Sequence, residues 1–385
     1  MADLDQVIAD SVAHMDAPFL VAMTGNRAGV TWSGAAGHAS PGQAADLNTV
    51  FRIFSMTKAV GSLAAMMLMD LGKLNADATV QSILPEFADM KVLDGFDAAG
   101  QPLLRAPRVQ ATVRHLATHT SGLAYEFWNA NMGRYLASTQ LPSILAGTRQ
   151  SAFYPLQFEP GTRWDYGIGI DWLGLVVQEV AGRPIDQFCH DEIFAPLGMT
   201  DTSFEVNASQ APRLASVKIR GEDGKFGGFA LAPPTNPEFY GMGHALYSTA
   251  PDYMRFLRMV MNGGALDGKR LISEAGLATM LANQIGSIPI PVLTSGAPPL
   301  SADIDLFPGK GKSHSMAFMR FDEDIPGMRH AGSQGWAGLL NSHYWLDPNA
   351  DVIGVLMTQS LPFADPRLMK TYEAFERAAY ATAKV

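Results

Sequence analysis

Three short apolar runs near the N-terminus, residues 18–23 (FLVAMT), 29–33 and 50–54, are separated by Gly, Asn and Ser, a rhythm that predicts strands in a meander. The period then changes. From Ser55 to Leu74 the apolar positions Ala59, Leu63, Met66, Met67, Met69 and Leu71 recur at helical spacing, and the glycine of GKL supplies a C-cap, so a helix opening at Ser55 is predicted. Between about 76 and 240, helical stretches at 112–118, 170–181 and 184–194 alternate with Pro/Gly turns such as FEPGTRW (158–164) and APLGMTDTSF (195–204). Another helix is predicted over 250–263, and the Pro- and Ser-rich residues 286–314 predict an exposed loop. Three β-type runs follow, HSMAFMRF, GWAGLLNSHYWLD and DVIGVLMTQ, and then a helical tail over 366–383. Strands at both ends with helices between them predict an α/β fold. One sheet is built from residues 1–75 and 241–385 together, and a mainly helical domain, 76–240, is inserted between them.

Composition narrows the class. Hydrophobic residues make up 47% and charged residues 17% of the chain, as expected of a globular protein with a sizeable core. A net charge of −9 without any Lys/Arg cluster argues against nucleic acid or an anionic membrane as partner. Cys189 is the only cysteine, so no intramolecular disulfide is possible, and its apolar neighbours predict a packed thiol. The N-terminal MADLDQVIADSVAHMD lacks a basic segment followed by an apolar one, and no apolar run is long enough to span a membrane; a cytoplasmic location is expected.

The candidate chemistry starts at FRIFSMTKAV (51–60), which places Ser55 and Lys58 one helical turn apart in apolar surroundings, the only S-x-x-K in the chain. A serine hydroxyl needs a base to become a nucleophile, and desolvation disfavours the ammonium form of a lysine, so the pair has the chemistry of a nucleophile and its base. The tetrapeptide equally describes a capping serine and a lysine whose stem packs while its head reaches water. Tyr166, in PGTRWDYGIGIDWLG, sits just past a Pro-Gly turn and before a helix, where its phenol is either a satisfied aromatic or a proton carrier.

These stretches, with VRHLATHTSGL, DEIFAPLGMTDTSF, STAPDYMRFLRMVMNGG and GWAGLLNSHYWLDPNADVIGVLMTQ, occur in one order from about residue 20 to 360. Taken together, the chain resembles the serine hydrolases built like class C β-lactamases and penicillin-binding proteins, and within them the family VIII carboxylesterases. The resemblance implies a β-lactamase-like antiparallel sheet flanked by helices. It implies Ser55 as the acylated nucleophile, Lys58 as its base, and Tyr166 as the proton shuttle to the leaving group and later from water. It also implies an oxyanion hole from the backbone N–H groups of Ser55 and Leu339. Trp336-Ala337-Gly338 would occupy the strand position where β-lactamases carry Lys-Thr-Gly. Tyr125, Phe127 and Trp128, which follow THTSGL, are expected either to wall the acyl pocket or, equally, to pack as plain core.

The departures from that pattern point toward neutral esters. Ile168 stands where β-lactamases carry the Asn of Tyr-x-Asn, and Trp336 replaces the lysine that would attract a substrate carboxylate. Ala337 adds a methyl where the esterases carry glycine, while Met242 and His244 stand where relatives often carry glycines. His330-Ala331-Gly332 is a rival for the head of the strand motif. The resulting expectation is a carboxylesterase acting on a small-molecule ester, with no cofactor and no metal. The alternatives are a β-lactamase-like hydrolase or acyltransferase of the same fold, or a non-catalytic ligand-binding relative. AGSQG (331–335) mimics a nucleophile elbow around Ser333, but no histidine follows an acid downstream. His115 and His119, four apart in HLATH, lack the glutamate and third ligand of a zinc site, and a capping or core role is expected.

Overall fold

The structure is a computed structural model that describes residues 3–383. Residues 1, 2, 384 and 385, which fall inside the sheet segments expected from sequence, lie outside the described residues. Eight strands form the main sheet: β1 (Phe19–Gly25), β2 (Val30–Ser40), β3 (Gln43–Ala44), β4 (Lys312–His314), β5 (Met319–Phe321), β6 (Gln334–Gly338), β7 (Ser342–Asp347) and β8 (Val352–Met357). Their spatial order is β4-β5-β6-β7-β8-β1-β2-β3, every neighbour pair antiparallel, so N- and C-terminal segments meet at the β8–β1 pair. The α/β fold expected from sequence is therefore present.

Strand alternation explains why FLVAMT reads as one unbroken apolar run. Leu20 and Ala22 face one layer, packing with Trp345 and Leu356 against α1 (Leu4–Ala13) and α5 (Pro366–Ala383). Phe19, Val21 and Met23 face the other layer with Val355 and Met357, which includes α2 (Thr57–Asp70) and α4 (Ala250–Met261). With helices on both sides, β1 is buried throughout.

On the inner side, α2 meets α3 (Gly169–Ala181) across one wedge. Met242 is fully buried there, and a Cβ added at Gly61 of α2 or Gly174 of α3 would lie 2.8 or 2.5 Å from its side chain. The two glycines thus set the helix spacing.

Several elements differ from the sequence reading. Of the run 50–54 only Phe51–Arg52 is strand, paired with Tyr247–Ser248 outside the main sheet, and GWAGLLNSHYWLD divides into β6 and β7. The helix expected to open at Ser55 begins at Thr57. Residues Phe54–Met56 form a separate 3-10 turn, because Phe54 takes a left-handed φ of 42° that no α-helix continues. HSMAFMRF divides into two strands, β4 and β5, because Ser315 Oγ accepts the N–H groups of Ala317 and Phe318 and turns the chain. Residues 286–314 are not simply exposed: Leu293 pairs with Ile304 and both line a cavity described below, while Ser301 is buried. Among the described residues, no helix is long and apolar enough to cross a membrane.

Candidate active site

Ser55 occupies the middle of the 3-10 turn between the left-handed Phe54 and the start of α2. A left-handed conformation at a non-glycine residue costs about 1–3 kcal/mol, so the surroundings must enforce it. They do so from two sides. The Tyr253 hydroxyl of α4 donates to Met56 O at 2.9 Å, and the neighbouring segment is tied in by Ile53 N–H to Leu246 O (3.1 Å) and Leu246 N–H to Thr57 Oγ1 (3.2 Å).

Lys58, one turn into the interior, is only 2% exposed. Its Nζ donates to Gly243 O at 2.8 Å and lies 2.8 Å from the Tyr125 hydroxyl and 3.2 Å from Ser55 Oγ. A carbonyl only accepts, so one N–H is committed to Gly243 and the remaining positions on nitrogen face the two hydroxyls. The Tyr125 and Tyr166 rings flank the amine, each centroid 4.9 Å from Nζ. Burial, with the nearby Asp171 carboxylate second, pushes the Tyr125 phenol well above its ordinary value, so Tyr125 stays protonated at neutral pH.

Tyr166 arrives from the turn before α3. Its hydroxyl donates to Ser55 Oγ at 2.6 Å and accepts Trp336 Nε1–H at 3.2 Å. The chain passes close to the segment carrying Tyr125: a Cβ at Gly167 would lie 2.0 Å from Leu123 O, and Tyr125 N–H donates to Tyr166 O at 3.1 Å. Only glycine fits after this tyrosine. The ring of Tyr166 also contacts His119 and Trp336, both at 4.9 Å between centroids.

The end of β6 closes the site. A Cβ at Gly338 would fall 2.3 Å from Ile53 O, so glycine is what lets the strand press against the turn that carries Ser55. Ser55, Tyr166, Trp336, Ala337, Gly338 and Leu339 consequently line one cavity, together with Tyr125 and Trp128. Its outer wall is apolar, made by Phe127, Ile290, Leu293 and Ile304. The charged groups on the wall are paired: Lys312 with Asp305, and Arg329 with Glu376. Of the residues singled out from sequence as catalytic, oxyanion-binding or substrate-binding, all but Lys58 line this cavity, and Lys58 reaches it through its contact with Ser55 Oγ.

The rivals lie elsewhere. His330 does not line the cavity; its Nδ1 is 3.0 Å from Asp347 Oδ2, so Trp336 is the side chain that meets Tyr166. Ser333 is buried, its hydroxyl without a partner among the described residues. His115 caps its own helix by accepting Thr112 N–H at 3.2 Å, and His119 is a core residue held well below the usual histidine range by burial. No group of three or more potential ligands among the described residues is arranged for a metal. Cys189 is fully buried, and burial pushes its thiol up. Ile168 packs in the core, and Met242 is a wedge between helices, so of the pair Met242 and His244 only His244 reaches the cavity.

Sequence reading missed the Tyr125 hydroxyl contact with Lys58, the Gly243 carbonyl, and the N–H that Trp336 donates to Tyr166. It also missed Asp171, an acid with no exposure. One signal was available for the last of these: Asp171 is the lone acid among the apolar residues that open α3, GIDWLGLVV.

The model that describes the beta-lactamase family matches residues 4–379. Among curated proteins, Protein Rv1367c of Mycobacterium tuberculosis is 33% identical over 326 residues, which span 82% of this chain and 78% of that protein. Monacolin J acid methylbutanoyltransferase of Aspergillus terreus is 29% identical over 350 residues, 87% of this chain and 83% of that protein. Among solved structures, the LovD9 mutant of simvastatin synthase from Aspergillus terreus matches with a TM-score of 0.85 at 27% identity, covering 99% of this chain and 98% of that one.

Proposed function

The chain belongs to the beta-lactamase family, and from that premise we propose that it is a serine carboxylesterase hydrolysing short- to medium-chain carboxylic esters through an acyl-enzyme on Ser55. The observation that carries this reading is the meeting of three groups from remote parts of the chain: Ser55 Oγ lies 2.6 Å from the Tyr166 hydroxyl and 3.2 Å from Lys58 Nζ. A structural serine requires neither partner.

In the proposed reaction Ser55 Oγ attacks the ester carbonyl and its proton passes to Lys58. The developing oxyanion takes hydrogen bonds from the Ser55 and Leu339 N–H groups, each worth on the order of 3 kcal/mol in such sites. Collapse expels the alcohol, which takes the Tyr166 proton. The resulting phenolate is stabilised by the Trp336 N–H and by the ammonium of Lys58 beside its ring. Water then enters, gives a proton to Tyr166 and attacks the acyl carbonyl, and Ser55 leaves with the proton held by Lys58. Protons balance over the cycle. The apolar wall and the pairing of its charged groups favour a neutral ester over a carboxylate-bearing β-lactam, as does Trp336 in place of a lysine.

The test is intact-mass measurement after a slow ester or a phosphonate, followed by peptide mapping. One acyl or phosphonyl group on Ser55 is expected, and label on any other serine would overturn the assignment. The likeness to a methylbutanoyltransferase favours a second reading in which an alcohol replaces water. It predicts that an added alcohol acceptor is acylated faster than the ester is hydrolysed. Trp336→Phe, which removes the N–H donated to Tyr166, is expected to lower kcat about tenfold in steady-state assays. Unchanged kcat would take Trp336 out of the proton path.

A further inference from the structure

Asp171 lies in the first turn of α3 with no exposure, where the helix N-terminus favours negative charge. Its Oδ1 accepts Gly243 N–H at 2.9 Å and is 3.2 Å from His244 Nδ1, while its Oδ2 has no partner among the described residues. Burying a carboxylate this incompletely satisfied is costly, and the fold is shaped to allow it. Residues 241–244 wrap so closely around the carboxylate that a Cβ at Gly241 would lie 2.4 Å from Oδ1, and one at Gly243 2.4 Å from Oδ2. The same Gly243 presents its carbonyl to Lys58 Nζ at 2.8 Å. A single residue therefore separates the buried carboxylate from the amine, binding one with its N–H and the other with its C=O. Asp171 itself does not line the cavity.

We infer that Asp171 is a positioning residue for Lys58: it anchors the 241–244 turn so that the Gly243 carbonyl fixes the amine within reach of Ser55 and Tyr125. The inference rests on the reading of Lys58 as the proton carrier. The groups facing Lys58 from the elements packed around it are Tyr125, Tyr166, His119 and, through Gly243, Asp171 with His244. Of these, only the Asp171 arrangement orders the Gly243 carbonyl. Displacing a catalytic group by about 1 Å typically costs a hundredfold in rate with substrate binding little affected, which sets the expected signature.

The experiment is a double-mutant cycle on p-nitrophenyl butyrate hydrolysis. Asp171→Leu keeps the volume and removes the acceptor; kcat is expected to fall about a hundredfold with KM little changed, and Asp171→Asn, which keeps an acceptor oxygen, to recover to within about tenfold of the parent. In a Lys58→Met background Asp171→Leu should cost nothing further, a result that a merely structural role would not give. Retained kcat in Asp171→Leu, an equal loss in Asp171→Asn, or additive losses in the double variant would each overturn the inference. If Asp171→Leu does not fold, Gly243→Ala interrogates the link from the other side, since its Cβ would force the turn off the carboxylate. The same loss, absent again in the Lys58→Met background, is expected, and full activity in Gly243→Ala would refute it. A fully active Lys58→Met would instead strike the proton-carrier reading, so the two failures are distinguishable.

Discussion

Ser55→Ala is expected to reduce hydrolysis of p-nitrophenyl butyrate to background, a loss on the order of 10⁴-fold or more, while the protein unfolds at its parent temperature. The size follows from chemistry: without the hydroxyl no acyl-enzyme forms, and water would have to attack in a site whose proton carriers are set around Ser55 Oγ. The unchanged stability follows from the local structure. The Ser55 side chain caps no helix, and the 3-10 turn is held by the Tyr253 hydroxyl on Met56 O and the backbone bond from Ile53 to Leu246, none of which involves the serine hydroxyl. Alanine fits the turn, since the strained residue is Phe54 rather than Ser55. Steady-state assays together with thermal unfolding decide it. Residual turnover within a hundredfold of the parent would mean that another group carries the acyl chain.

What the sequence made legible was what local spacing encodes. Ser55 and Lys58 are three residues apart, so one helical turn places them on one face, and the unbroken apolar runs of the terminal strands follow from the two-layer burial of β1 and β8. Tyr166 was reached through resemblance, because nothing local ties a residue 111 positions away to Ser55. The rest of the site was hidden for the same reason in stronger form. The Lys58 contacts with Tyr125 and Gly243 span 67 and 185 residues, and one of them is a main-chain carbonyl, which has no side-chain signature at all. The 286–314 segment misled because its Pro and Ser content resembles that of a solvent-facing loop, while a few apolar residues, Ile290, Leu293 and Ile304, are enough to seat it over the cavity. The start of α2 was misplaced by two residues because the pattern of apolar positions does not register a single left-handed φ at Phe54.

Removing the two proton carriers one at a time and then together should show whether they act as a unit. Tyr166→Phe deletes only the hydroxyl that bonds Ser55 and Trp336; the ring keeps its packing against Tyr125, His119 and Trp336, so the fold is expected to survive with kcat lowered at least about a hundredfold. Lys58→Met is expected to cost at least as much in kcat. It should also lower stability by about 1–3 kcal/mol, because the buried Gly243 carbonyl loses a partner and Tyr125 loses one contact of its hydroxyl. The asymmetry is the useful part: two substitutions with similar kinetic effects should separate in a urea titration, with only the lysine change moving the midpoint. If the ammonium formed in acylation is what returns the proton to Ser55 after Tyr166 has served the leaving group, neither carrier works without the other. The double variant should then be scarcely slower than the worse single one. Losses that multiply would mean the two residues act in separate steps, and turnover near the parent in either single variant would remove that residue from the relay.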